Sequence, residues 1–419
     1  MKAETKKDIP KGYLHPENPH TRFAEVESSA AVAPRRGALL AAKISLLLLS
    51  SLASAAAYAF DMDFFGKLIA IPSVSADIGK VNDSMRFMRD YLAGRGVCCT
   101  METAPDGREI LYASTTPGKR HDFVISVHLD VVAPGTPTQF TLKRNGDRVE
   151  GRGVNDCKGY AVVAAEVLSA LVGKGVSVAC LFGPDEEIGG AGTRWMVEGK
   201  GFVPQKMVIV IDSAYGQVCY AHKGQTYVGI TARGRSGHSS RPWNCDDSIT
   251  KVMLGYAKIR EEWDRRHPLP DDKWSDVLVP TVVHADGGAL NMIPPEMKLI
   301  LNLRSVNPGA KDELMELCKS VLPDCEVKLM RHSPPVNSIP NHPLIAHLRK
   351  TMTARLGHDI PLSRMLAATD ARWFTGCGVP IALIGAKGGG AHAVDEHAYI
   401  SSLDDMAEYL KMFFLEASK

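Results

Sequence analysis

The sequence predicts an α/β fold carrying a smaller inserted α+β domain. Two patterns point to it. Short apolar runs alternate with segments of helical apolar spacing from about residue 61 to the C-terminus. Between about residues 225 and 335 the pattern changes to alternating strands around two helical segments.

In chain order, the first 59 residues stand apart. Residues 1–34 are polar and rich in Pro, Glu, Lys and His, as expected of a disordered segment. Arg35-Arg36 then precede "GALLAAKISLLLLSSLASAAAYA", whose apolar run 44–52 is short for a membrane span. Ala57-Tyr58-Ala59, and Ala53-Ser54-Ala55 before it, are A-x-A cleavage signals. The expectation is export, periplasmic or secreted, with a mature chain starting near Phe60. An uncleaved membrane anchor is the alternative, and Arg35-Arg36 is compatible with a twin-arginine signal.

From Phe60 onward, 63–71 and 82–94 read as helices, 123–127 as a buried strand and 157–172 as a helix. Further buried strands are expected at 176–182, 207–211 and 380–384, and a closing amphipathic helix at 402–415. The middle holds alternating strands at 226–232 and 297–304 and helices at 248–265 and 311–322. Residues 60–224 and 336–419 are thus assigned to the larger domain and 225–335 to the insert, with the Pro-rich stretch 332–343 as the return linker.

Bulk composition excludes some classes. The 419 residues are 45% hydrophobic and 23% charged, with a net charge of +2. The first 59 carry a net +3, which leaves the remainder near −1. That balance gives no basic footprint for nucleic acid, and none is expected as a partner. The nine cysteines include no C-x-x-C pair, which argues against a zinc ribbon or a redox motif. Cys318 and Cys325 could pair in an oxidising compartment.

The chemistry sits where the apolar runs end. "FVISVHLDVV" delivers His128 and Asp130, two apart and so on one side of a strand. Asp130 can then stand behind His128 and fix its tautomer for a metal. "GRGVNDCKG" presents Asp156, "LFGPDEEIGG" presents Asp185, Glu186 and Glu187, "VIVIDSAYG" presents Asp212, and "GGGAHAVDEHAYI" presents His392, Asp395 and Glu396. Open α/β sheets place ligands at the carboxyl ends of their strands. Like charges gathered there need a cation to compensate them.

These pieces, with "GRSGHSSRP", "NMIPPE", "LNLR" and "TDARWF", occur in order over nearly all of 61–419. They resemble the M20 family of metallopeptidases and amidohydrolases, which has dipeptidase, carboxypeptidase, aminoacylase, deacetylase and desuccinylase members. The resemblance implies a zinc-peptidase-like catalytic domain, with a mixed central sheet flanked by helices, and an inserted dimerisation or lid domain. It implies two zinc ions per chain, with cobalt or manganese as substitutes. Asp156 bridges them, His128 and Asp212 complete one site, and Glu187 and His392 the other. Glu186 is then the general base and Asp130 the partner of His128. His238 reaches the scissile carbonyl, often from the partner subunit of a homodimer, while Asn291 and Arg304 contact substrate. The implied substrate is a small peptide or an N-acyl amino acid.

Asp at 212 resembles the aminopeptidase, dipeptidase and aminoacylase branches more than the carboxypeptidase and deacylase branches, where Glu is usual. Desuccinylases tend to have an Arg pair where this chain has His222 and Lys223. The expectation is therefore a dipeptidase, another exopeptidase or an N-acyl-amino-acid amidohydrolase, with a deacetylase- or desuccinylase-like deacylase as the alternative. A two-metal phosphoesterase is a further rival, since paired metals also serve phosphoryl transfer; "GRSGHSS" counts against it. A binding protein that has lost catalysis is another; an intact Glu186 counts against that.

Overall fold

The computed structural model describes residues 60–285 and 287–419. The segment expected to direct export or anchoring lies outside these residues.

A nine-stranded sheet forms the core. Across it run Cys98–Thr103, Glu109–Ser114, Val178–Gly183, Arg120–His128, Val203–Tyr215, Ile381–Gly385, Val218–His222 and Val336–Asn337, with Leu362–Met365 also paired to Val218–His222. The central four, Val178–Gly183, Arg120–His128, Val203–Tyr215 and Ile381–Gly385, are mutually parallel, and antiparallel pairs flank them. The sheet is therefore mixed. Its parallel centre is covered on both faces, which explains the unbroken apolar runs there. In Arg120–His128 the alternation is explicit: Phe123, Ile125 and Val127 enter one apolar cluster and Val124 the other. On the first face the helices Lys158–Leu171, Pro343–Leu356 and Ile400–Ala417 close the core, and Phe123 meets Phe413 and Phe414 at ring distances of 5.6 and 5.4 Å.

Helix starts follow capping carboxylates. Asp61 accepts from the Phe64 amide at 2.9 Å and begins Met62–Ala70. Asp77 accepts from the Lys80 amide at 3.0 Å, so the next helix, Ile78–Ala93, starts a turn earlier than its apolar spacing suggests.

A separate four-stranded antiparallel sheet takes Val277–Ala285, Glu296–Ser305, Gly224–Arg233 and Glu326–Ser333 in that order. Helices Ser248–Arg266 and Ala310–Val321 cover one face and share its apolar cluster, which includes Val228, Ile230, Ile259, Trp263, Leu301 and Leu314. The stretch expected to be a bare linker is more structured. It completes the strand Glu326–Ser333, and Val336–Asn337 then pairs with Val218–His222 in the large sheet. Cys318 and Cys325 are free thiols, Cys318 being buried in the smaller cluster.

Candidate active site

The parallel centre aims its carboxyl ends at one edge, and the predicted residues gather there. His128 is the last residue of its strand and pairs in register with Gly183, after which the chain turns into Asp185–Glu187. Asp212 lies within Val203–Tyr215, where pairing with Ile381–Gly385 skips from Ile211 to Tyr215. Gly385 permits that irregularity, since a Cβ there would stand 1.6 Å from the Ser213 carbonyl oxygen. Asp156 closes the loop before Lys158–Leu171 and is joined to Cys157 by a cis peptide bond. His392 adopts φ +66° in the loop following the last parallel strand.

Asp156 is shared. Its Oδ1 lies 3.0 Å from His128 Nε2 and its Oδ2 lies 3.2 Å from His392 Nε2. Glu187 Oε2 lies 3.0 Å from the same His392 nitrogen. Donor atoms of His128, Asp156 and Glu187 fall within 4.8 Å of one another, as do those of His128, Glu186 and Asp212. Glu186 therefore stands within ligand reach, although the sequence reading gave it no metal.

Two frames hold these groups. Asp130, wholly buried, accepts from the backbone amides of Glu186 at 3.0 Å and Glu187 at 3.2 Å and from Ser75 Oγ at 2.7 Å. Its contact with His128 Nδ1 runs through its backbone carbonyl at 2.9 Å, with the carboxylate at 3.4 Å. Glu396 Oε1 accepts from the amides of Gly153, Asn155 and Asp156, each at 3.0 Å. Arg152 pairs with Glu396 at 2.5 Å and donates to the carbonyls of His392 at 3.1 Å and Ala393 at 3.2 Å. One buried ion pair thus joins the Asp156 loop to the His392 loop.

The electrostatics suit a cation. Burial pushes Glu187 up to about 7, and burial with the Asp156 charge does the same to Asp212. Glu186 is raised well above the usual range by burial and by Asp370 and Asp212. Burial opposes ionisation of Asp156, yet its hydrogen bonds to His128 and His392 hold it well below the usual range. His392 is raised to about 9, chiefly by its hydrogen bond to Asp156. The Glu187 Oε1 atom is buried with no protein partner. Imidazole nitrogen and carboxylate oxygen are donors that zinc accepts. Acids raised by burial and then by one another's charge, with one orphaned oxygen, fit residues that share divalent metal.

The residues expected to touch substrate lie in the segment of the smaller sheet. Gly237-His238 pairs with Met292-Ile293, and His238 Nε2 lies 3.2 Å from Asn291 Nδ2. His238 Nδ1 lies 2.8 Å from Ser240 Oγ. Among the described residues, none of these hydrogen bonds reaches the carboxylate cluster. Arg304, half-buried, pairs in register with Gln225 and Val277 in the smaller sheet.

Sequence reasoning gave no role to Arg152, Asp370 or Arg372. Arg372 Nη2 lies 3.2 Å from Glu186 Oε1 and 3.4 Å from Asp370 Oδ1. The signal was present in "TDARWF", which counted toward the resemblance only as a whole.

Comparison with known proteins gives the family and the fold. Residues 124–416 match Peptidase family M20/M25/M40. The chain is 23% identical to a succinyl-diaminopimelate desuccinylase of Nautilia profundicola, over 84% of this chain and 97% of that protein. The fold is similar to an aminopeptidase PepT from Bacillus cereus, with a TM-score of 0.68 and 16% identity over 85% of this chain and 97% of that one. It is also similar to an M20 family metallo-carboxypeptidase from Sulfolobus solfataricus, with a TM-score of 0.67 and 16% identity over 84% and 97% of the two chains.

Proposed function

The chain belongs to Peptidase family M20/M25/M40, hydrolases acting on C–N bonds, and on that premise we propose that it cleaves the peptide or N-acyl amide bond of a small substrate with two bound zinc ions. The observation that carries this reading is the shared Asp156 carboxylate, one oxygen on His128 and the other on His392. In the proposal His128 and Asp212 hold one ion with Asp156, and Glu187 and His392 hold the other. Bound metal supplies Lewis acidity toward the carbonyl and makes a water easier to deprotonate.

The side chains do the rest. Glu186 takes the proton of the attacking water and returns it to the leaving amine. Asp130 sets the position of Glu186 and Glu187 through their amides. His238, exposed and steadied by Asn291 and Ser240, donates to the oxyanion. Its placement in the smaller sheet's segment is compatible with action on the partner's substrate in a homodimer. Arg304 binds a substrate carboxylate.

A dipeptidase, another exopeptidase or an N-acyl-amino-acid amidohydrolase is the preferred substrate class. Deacylation of the desuccinylase kind is the alternative, favoured by the Nautilia relative. Lys223 weighs against it: its ammonium is already donated to the carbonyls of Lys273 at 3.1 Å and Ser275 at 2.7 Å. Two of the three Lys223 N–H groups are thereby taken, which weakens it as a partner for a distal carboxylate. His222 beside it is fully buried.

The test is metal analysis of the purified protein, followed by assay of the zinc-loaded form on dipeptides, N-acyl amino acids and N-succinyl amino acids. About two zincs per chain and hydrolysis of unblocked dipeptides or N-acyl amino acids is the expected result. Turnover of N-succinyl substrates alone would transfer the reading to the alternative. Bound metal without amide hydrolysis would refute both.

A further inference from the structure

Glu186 and Glu187 are sequence neighbours with carboxylates at the same edge, yet the proposed reaction needs one as a proton carrier and the other as a ligand. Chemistry alone does not separate them. A carboxylate oxygen of Glu186 falls within 4.8 Å of donor atoms of both His128 and Asp212, so Glu186 could close onto a metal there. What differs between the two glutamates is what holds them.

Glu187 faces His392 and has a buried oxygen without protein partner. Glu186 is held by Arg372, whose Nη2 lies 3.2 Å from its Oε1. Among the described residues, Arg372 is the only cation hydrogen-bonded to Glu186. Arg372 is 3% exposed, and a chain of contacts fixes it. The same Nη2 reaches Asp370 Oδ1 at 3.4 Å, and Asp370 Oδ2 accepts from Thr193 Oγ1 at 2.5 Å. Asp370 in turn lies against the turn that follows the glutamates. A Cβ on Gly190 would meet its Oδ1 at 1.8 Å, and one on Gly183 would meet its Oδ2 at 3.0 Å. Thr193, Asp370 and Arg372 therefore form a rigid strut that ends on one oxygen of Glu186.

We propose that Arg372 is the positioning residue that keeps Glu186 a general base: by tethering Oε1 it withholds Glu186 from the metal and leaves the other oxygen for proton transfer. This inference rests on the reading of Glu186 as the base. A purely structural role, balancing the charge of Asp370, would leave the metal surroundings unchanged when Arg372 is replaced.

The test uses the full protein loaded with cobalt, whose visible absorption weakens as ligands are added, alongside zinc-loaded activity. Arg372→Gln is expected to lower kcat about 100-fold with little change in KM, and to weaken the cobalt absorption as Glu186 joins the metal. Adding Glu186→Gln should restore the original spectrum and slow the enzyme no further than Glu186→Gln alone. An unchanged kcat in Arg372→Gln would overturn the proposal. So would a rate loss that multiplies with that of Glu186→Gln while the spectrum stays fixed, since that is the structural role. Should Arg372→Gln fail to fold by circular dichroism, Arg372→Lys gives the same readings: a partial kcat loss and a spectral change reversed by Glu186→Gln support the tether, and wild-type rate and spectrum refute it. If the unmodified protein hydrolyses no amide, the proposed function fails, yet the cobalt spectra still decide whether Arg372 restrains Glu186.

Discussion

The carboxylate cluster and the His238 segment are built on opposite principles. At the cluster, the two framing carboxylates are buried and tied to backbone: Asp130 to the amides of Glu186 and Glu187, Glu396 to those of Gly153, Asn155 and Asp156. Around His238 the groups are exposed and bonded mainly to one another, His238 to Asn291 and Ser240. The difference follows from what each part must do. Crowded acids repel unless a frame and a cation hold them, so precision there needs burial. A residue that meets substrate must stay accessible, and two or three local hydrogen bonds suffice to orient it.

Four changes sharpen or break this contrast. Glu186→Gln strikes the cluster's chemistry without its frame. It should lower kcat by about a thousandfold while zinc content, measured by atomic emission, stays at the wild-type level. Parallel loss of metal would mean that Glu186 is a ligand. Glu396→Gln strikes the frame. It leaves Arg152 unpaired in a buried site, and denaturant unfolding should show a loss of about 3 kcal/mol together with zinc binding weakened about tenfold or more. A stable variant with intact metal affinity would show that the ion pair between the two loops is incidental.

His238→Ala tests the open region. It should lower kcat about 100-fold with the melting temperature and metal content unchanged. A large fall in stability would contradict the view that this segment is held only locally. Glu166 is the control, a buried acid remote from the cluster. Burial pushes it up to about 7, and its oxygen accepts the Asp61 amide at 2.9 Å. Because its folded value lies above the ordinary 4.5, its contribution to stability is complete below pH 4.5 and is lost as the pH rises through about 7. Glu166→Gln should therefore raise stability at pH 8 by about 3 kcal/mol and leave it unchanged at pH 4. Equal effects at both pH values would show that the carboxylate's charge is irrelevant there.

The sequence by itself determined the class of fold and the identity of the cluster. Unbroken apolar runs mark strands covered on both faces, and a polar residue at the end of such a run has nowhere to go but the sheet edge, so His128, Glu186, Glu187 and Asp212 were legible. Strands such as Cys98–Thr103 and Leu362–Met365, and the helix Pro343–Leu356, were not read. The two strands are only partly buried, and the helix buries only Ile345, Leu348, Thr351 and Met352, so their patterns are faint. The stretch 332–343 read as a linker because its prolines punctuate it, while its pairing with Val218–His222 is a long-range hydrogen-bond pattern that local sequence does not encode. Only the tertiary structure brought Glu396 to Asp156 and Arg372 to Glu186, across separations of 240 and 186 residues. Such pairings depend on where loops meet at the sheet edge, and composition and spacing carry no record of that meeting.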